Sequence, residues 1–266
     1  MSTTAKVTAR ERIETLLDDN SFVEIGGLMK ARSTDFNIQA KDTPSDGVIT
    51  GYGVINGKLV YVYSQDASVL GGSVGEMHAR KISNLYDMAM KMGAPVIGLI
   101  DSTGLRLQES VDGLNAFGQI YMKQSLASGV IPQISAIFGN CGGGLSVVAG
   151  LCDFTFMESE KAQLFVNSPN AINENRKEVC DSASAKFQSE AAGNVDFTGT
   201  ESEILEGMRE LVSVLPSNNE DEAADFECED DLNRAVAGIE NCVEDTLLAL
   251  ENISDSGFVV EVKKNY

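Results

Sequence analysis

Two glycine-bearing segments carry residue types that could do chemistry. Gly142-Gly143-Gly144 follows an apolar run, Ile134 to Phe138, and precedes another, Leu145 to Leu151. If the first run is a strand and the second a helix, the glycines open the helix. N–H groups there point outward unpaired with partial positive charge, and glycine lets a ligand approach them. Such a turn can hold a phosphate or a developing oxyanion. Asp101-Ser102-Thr103-Gly104-Leu105-Arg106 ends the preceding apolar run, Val96 to Ile100. Two N–H donors from two loops are what an enolate-type oxyanion requires, each worth about 3 kcal/mol when preorganised. No Lys-Ser/Thr follows the glycines and no G-x-G-x-x-G occurs, so a nucleotide-hydrolysis loop and a dinucleotide cofactor lack support. His78 is the single histidine, beside Arg80 and Lys81 at a helix start, where a cap or surface position is expected. The absence of a second histidine excludes most histidine metal sites, and without G-x-S-x-G a Ser/His/Asp assignment has no support.

The elements that must position these loops are legible from periodicity. Val7 to Leu17 reads as a helix and Phe22 to Ile25 as a short strand. Gly47 to Tyr63 reads as a hairpin turning at Asn56-Gly57, because both residues tolerate positive φ. Ile82, Leu85, Tyr86, Ala89 and Met92 recur on one helical face that Gly93 and Pro95 terminate. A polar loop, a helix around Leu114 to Leu126, Gly129 and Pro132 repeat the pattern, and Phe154 to Met157 and Leu164 to Val166 add short strands. Three strand–loop–helix units in series imply β-α-β crossovers, with the loops after Tyr63, Ile100 and Phe138 on one edge of the sheet. Thr200 and Glu203 have capping-box spacing before Ile204. Val236, Ile239, Val243, Leu247 and Leu250 predict a last long helix, and Phe258 to Val262 a strand seeking a partner.

Composition bounds the function classes. Forty acidic against 20 basic residues give a net charge of −20, which repels nucleic acid on average. Eight of the acids fall between Glu220 and Asp231, read as a solvated loop or helix face, with a docking surface for a basic partner as the alternative. No run of 18 apolar residues exists, and Met1 to Arg12 lacks an apolar signal core, so a soluble cytoplasmic protein is expected. The five cysteines are odd in number and lack C-x-x-C spacing, which speaks against a disulfide framework or a zinc site.

Taken together, the loops resemble a known family. Asp46 to Gly53, Tyr63-Ser64-Gln65-Asp66 and Gly71-Gly72-Ser73 look like the N-terminal domain of acyl-CoA carboxylase carboxyltransferase subunits. Asp101 to Glu109 is similar to that family's D-S-G-G-A-R-x-Q-E loop, and Gly139 to Gly144 to its G-P-C-A-G-G turn. Ser128 to Ile134, Asp153 to Met157 and Leu215 to Asn219 continue the likeness in the same order. The resemblance implies an α/β, ClpP/crotonase-like fold with repeated β-β-α units. It implies carboxylate transfer between biotin, carried on a separate carrier protein, and the carbon beside an acyl-CoA thioester, with no metal bound by this chain. Residues 1–257 would form the N-terminal, CoA-binding domain, and 258–266 the start of a C-terminal domain. The active site would be completed by a carboxyltransferase C-terminal-domain chain in a homo- or hetero-oligomer.

On that reading the enolate is held by N–H groups of Gly143 or Gly144 together with Gly104 or Leu105. The loop from Ser64 through Asp66, Gly71, Gly72 and Ser73 lies along the CoA chain, and Asn167, Ser168 and Pro169 border the acyl pocket. Charge alone nominates Arg32, Lys81, Lys30 and Arg80 for the CoA phosphates. Thr103 and Leu105 replace small residues of the family loop, which reshapes the acyl pocket. The absence of C-x-x-C disfavours the zinc-ribbon, acetyl-CoA branch. Three rivals stand beside this reading: the carboxyltransferase subunit of a sodium-pumping acyl-CoA decarboxylase, a crotonase-fold hydratase, and a non-catalytic assembly subunit. Leu145, Ser146, Val147 and Val148 leave no carboxylate where a hydratase needs one.

Overall fold

The computed structural model describes residues 7–32, 42–169, 181–221, 230–231, 233–236 and 245–266. One compact unit runs from Met1 to Asp221 and includes Lys263–Tyr266; Glu222–Val262 form a second.

In the first unit, helix α1 (Ala9–Leu16) starts at a capping box in which Thr8 and Glu11 satisfy each other's backbone N–H groups. Strand β1 (Val23–Ile25) precedes a hairpin of β2 (Val48–Ile55) and β3 (Lys58–Gln65). Asn56 and Gly57 take φ of 49° and 80° at its tip, as the turn requires. Helix α2 (Glu76–Met92) buries Ile82, Leu85, Tyr86 and Ala89 and ends at Gly93 in the left-handed region. Strand β4 (Val96–Ser102), buried at every residue, leads through a loop to helix α3 (Ser110–Ala127), which packs against α2. Strand β5 (Gln133–Gly142) then enters helix α4 (Gly144–Gly150). Strands β6 (Phe154–Glu158), β7 (Gln163–Phe165) and β8 (Phe197–Gly199) follow, and helix α5 (Glu201–Val214) begins at the Thr200–Glu203 capping box.

Among the described residues these strands form one sheet in the order β1-β2-β3-β4-β5-β6-β8, with β7 also pairing β5. The first three are antiparallel and every later pairing is parallel, giving the α/β architecture that the alternation of strands and helices predicts. Strand β5 changes neighbours along its length. Ile134–Ile137 pair with β6, whereas Asn140–Gly142 pair with β7. Its last residues, still beside β4, therefore exchange β6 for β7 just before the glycine turn. Among the described residues no helix is long and apolar enough to cross a membrane.

In the second unit, helix α6 (Thr246–Ile253) starts at Asp245, whose carboxylate accepts from the Leu248 N–H at 3.0 Å. The long helix expected from Val236 is thus corrected: Val236 is not helical, and Ile239 and Val243 lie outside the described residues. The strand expected at Phe258–Val262 is also absent. Those backbones join no ladder, and an extended apolar segment becomes a strand only by pairing.

Candidate active site

Strand order brings the two glycine-bearing loops together. β4 lies between β3 and β5, so the loop after β4 has the Leu70–Ser73 loop on one side and the triplet on the other. Ser102 is in register with Cys141, and a Cβ built on Gly104 would lie 3.2 Å from the Gly142 carbonyl oxygen.

Each loop contains a peptide whose carbonyl is pinned to the protein. Val74 N–H donates to the Gly104 carbonyl at 2.8 Å, and Arg106 N–H to the Val74 carbonyl at 2.9 Å. A trans peptide directs its N–H opposite its C=O. The Leu105 N–H therefore points away from Val74, toward the β5 side. At the triplet, the Gly143 carbonyl accepts from Ser146 N–H (3.1 Å) and Ser146 Oγ (2.7 Å). The Gly144 N–H accordingly projects out of the start of α4. Gly143 holds φ 62°, ψ −129°, a region that side-chain-bearing residues avoid. The triplet is clamped from outside as well. Tyr121 Oη donates to the Gly144 carbonyl at 2.7 Å, and Gly143 N–H to the Phe165 carbonyl at 3.0 Å.

These bonds sort the four candidate donors. Gly143 N–H is taken by Phe165, and Gly104 N–H donates to Ser102 Oγ at 3.1 Å. Among the described residues, no acceptor takes the N–H of Leu105 or of Gly144. The Leu105 side chain packs toward Gly113.

Behind the first loop sits a buried ionic cluster. Arg106, 1% exposed, donates from Nη1 to Asp46 Oδ1 (2.6 Å) and Glu109 Oε1 (2.9 Å). Its Nη2 donates to the Ser73 carbonyl (2.7 Å) and its Nε to Ser73 Oγ (3.2 Å). The second oxygen of each carboxylate caps α2: Glu109 Oε2 accepts from Glu76 N–H (2.5 Å), and Asp46 Oδ2 from His78 N–H (2.8 Å). Two carboxylates thus share one guanidinium and one helix N-terminus, whose partial positive charge favours them. Gly75 must lack a side chain, since a Cβ there would come within 2.4 Å of Glu109 Oε1. Burial nonetheless raises the Asp46 carboxyl above its ordinary value, against the lowering pull of Arg106.

His78 is fully buried, which corrects the expectation of a cap or surface position. Its Nδ1 faces the Asp46 carbonyl at 3.0 Å and so carries the proton; Nε2 accepts from the Gln65 amide at 3.1 Å. Burial first, then the charge of Arg106, pushes its pKa from 6.5 down to about 3, so the ring is neutral.

Other residues nominated from sequence fall elsewhere. Lys81 is 3% exposed, and its ammonium donates to Ser45 O (2.8 Å), Ser45 Oγ (2.5 Å) and Val48 O. Burial depresses its pKa to about 8. Saturated and enclosed, it is not placed to meet a phosphate, which corrects that nomination. Arg32 is half-exposed but paired with Glu76 at 2.9 Å and with Asp112. Lys30 pairs with Asp42 (2.7 Å), and Arg80 reaches Glu76 (3.7 Å). Ser64 lies inside β3, fully buried, so the loop begins only at Asp66. Ser73 turns inward to Arg106. Asp66 accepts from Ser68 N–H and Oγ (2.9 and 2.6 Å), beside a cavity of about 320 Å3 that Arg12, Gln65, Asp66, Ser68 and Asp101 help to line. Gly71 accepts Thr103 N–H at 2.9 Å, and Gly72 packs on the Asp101 carbonyl. Asn167, Ser168 and Pro169 follow β7, whose Phe165 covers Gly142. Sequence reasoning missed Asp46, Glu109, Tyr121 and Ser146 as supports; only the Arg106–Glu109 spacing of three was a usable signal.

The chain is 44% identical over 232 residues to the methylmalonyl-CoA decarboxylase subunit alpha of Propionigenium modestum, covering 86% of this chain and 45% of that protein. It is 38% identical over 273 residues to the propionyl-CoA carboxylase beta chain of Roseobacter denitrificans, covering 98% and 53%. The chain thus spans about half the length of the curated relatives it matches. The crystal structure of transcarboxylase 12S, a hexamer with hydrolysed methylmalonyl-coenzyme A bound, superposes with a TM-score of 0.92 at 34% identity, over 97% of this chain and 52% of that one. The architecture is that of the crotonase-fold carboxyltransferases. A carboxyl transferase domain model matches residues 2–266, in which the strand-end loops, the pinned peptides and the glycine turn all fall, and the chain belongs to that family.

Proposed function

We propose that this chain is the acyl-CoA-binding half of a biotin-dependent carboxyltransferase, moving carboxylate between biotin and the carbon beside a thioester carbonyl. One observation carries the reading: adjoining loops present Leu105 N–H and Gly144 N–H from peptides whose carbonyls are already engaged. A thioester oxygen set between them gains negative charge as the α carbon becomes an enolate, and preorganised donors stabilise that charge without reorganisation. The Asp66–Ser73 loop lies along the CoA chain, and Asn167, Ser168 and Pro169 border the acyl group. The residues after the turn, Leu145, Ser146 and Val147, offer no side-chain base. That suits a reaction whose proton acceptor comes with the cofactor. Carboxybiotin, when bound, would supply the carboxylate as CO2 on cleavage of its N–C bond, and the ureido nitrogen so freed would accept the α proton. This chain's residues orient the ester, hold the enolate oxygen and exclude water.

A carboxyltransferase C-terminal domain would complete the site and hold biotin, delivered on a separate carrier protein within a homo- or hetero-oligomer. Residues 1–257 are proposed as the CoA-binding domain and 258–266 as the beginning of the next. The free thiols of Cys141 and Cys152 suit a reducing cytoplasm. A second reading is favoured by the decarboxylase relative: the same transfer run from a carboxylated acyl-CoA toward biotin.

Calorimetric titration with acetyl-, propionyl-, methylmalonyl-, glutaconyl- and crotonyl-CoA tests the proposal. Saturable binding of one or two of these supports it and names the acyl group. No binding to any ester, with the C-terminal half also present, overturns it.

A further inference from the structure

We propose that Arg106 is a positioning residue for the oxyanion site: it holds the Gly104–Leu105 peptide in the orientation that aims the Leu105 N–H at the thioester oxygen. The inference rests on the carboxyltransferase reading above. Arg106 is 1% exposed, so it acts through other groups rather than by touching substrate. Stability alone is a weak reason to bury it, because well-packed apolar residues commonly replace buried ion clusters without loss. What it holds is more telling.

The Leu105 N–H is aimed by one bond, from Val74 N–H to the Gly104 carbonyl at 2.8 Å. Val74 follows Ser73, and Ser73 is gripped at both its carbonyl (2.7 Å) and its hydroxyl (3.2 Å) by Arg106. The guanidinium is anchored in turn by Asp46 (2.6 Å) and Glu109 (2.9 Å), which are tied to the first turn of α2. Constraint therefore passes from α2 through Asp46 and Glu109 to Arg106, then through Ser73 and Val74 to the reacting peptide. A planar fork of five donors can span three directions at once; an ammonium cannot reproduce that geometry. Misplacement of a catalytic group by about 1 Å can reduce rate about 100-fold.

The test uses the full chain and an acyl-CoA labelled with 13C at the thioester carbonyl. Isotope-edited infrared spectroscopy reports polarisation of that carbonyl, and calorimetry reports its affinity. In the wild-type protein the band moves to lower frequency on binding. In Arg106→Lys the band is expected to return most of the way to its solution position while Kd changes less than about threefold. A band still fully shifted in Arg106→Lys overturns the positioning role. So does a loss of affinity above about tenfold with the shift retained at saturation, since that marks a ground-state contact. If Arg106→Lys does not fold, Asp46→Asn replaces it, weakening the anchor with its shape kept. A partial return of the band is then expected, and an unchanged band refutes the role. Wild-type protein that binds no CoA ester overturns the underlying carboxyltransferase reading, and this role with it, whereas a wild-type shift preserved in the variants overturns this role alone.

Discussion

The Gly104–Leu105 and Gly143–Gly144 peptides present the same feature, a carbonyl turned into the protein and an N–H turned out, but they are held by different physics. The first depends on a buried ionic cluster recruited from residues 46, 73 and 109. The second depends on its own helix, on Ser146 one turn on, and on a lid of Tyr121 and Phe165. Removing one member of a charged cluster strands the others in a low-dielectric interior. Removing one hydroxyl from the second turn leaves a nearly intact set of contacts. Changes at the two turns should therefore differ in size and in pH response.

The sharpest way to break this comparison is Arg106→Met. Asp46 and Glu109 would be buried without a cation, and urea unfolding should show a loss of about 3–5 kcal/mol. A loss no larger than that of a single hydroxyl deletion would remove the distinction. Next in size is Gly143→Ala. No neighbouring atom would block the added Cβ, but φ 62°, ψ −129° is strained for alanine. The expected cost is about 1–3 kcal/mol, with CoA-ester affinity falling as the turn relaxes.

The pH response belongs to the first turn through His78. Its folded pKa, about 3, lies below the unfolded 6.5, so in that window the unfolded chain binds the extra proton. Stability is complete above pH 6.5 and falls by about 1.4 kcal/mol per unit as pH drops toward 3. The groups facing the ring are Asp46, Gln65, Arg106 and Lys81. Asp46, raised by burial, titrates in the opposite sense only from its unfolded value of 3.8 upward. Unfolding midpoints of wild type and His78→Gln between pH 7 and 5 check the claim; parallel curves would contradict it. Smaller still, Tyr121→Phe removes one hydrogen bond to the Gly144 carbonyl and should cost about 1 kcal/mol by thermal unfolding. Smallest is Arg32→Ala. Two carboxylates already answer this charge, so the Kd for a CoA ester should change less than about threefold.

Much of the scaffold was legible because it depends on local periodicity. The spacing of Ile82, Leu85, Tyr86 and Ala89 marks the buried face of α2, Asn56-Gly57 marks the hairpin, and Thr200 with Glu203 marks the start of α5. The loops after β4 and β5 were legible as a candidate site because glycines follow apolar runs at the edge where parallel strands end. The surroundings of charged residues were not. Arg106, Lys81 and His78 belong to types that are more often exposed, and their partners lie 33 to 60 positions away for Arg106–Ser73, Lys81–Val48 and Arg106–Asp46. Nor could alternation alone decide Phe258–Val262, where the missing ingredient is a partner strand.

By itself, then, the sequence determined the hairpin tip, the buried face of α2, the start of α5 and the glycine-bearing segments after β4 and β5, because each follows from residues within a turn or two of one another. Tertiary structure decided which N–H groups remain free. Gly143 and Gly104 look as available as Gly144 and Leu105 in one dimension. Phe165 closes on the Gly143 N–H and Val74 turns the Leu105 peptide from distant segments, while Ser102 and Ser146 act from two and three residues away, because a peptide's direction is set by whatever holds its other end.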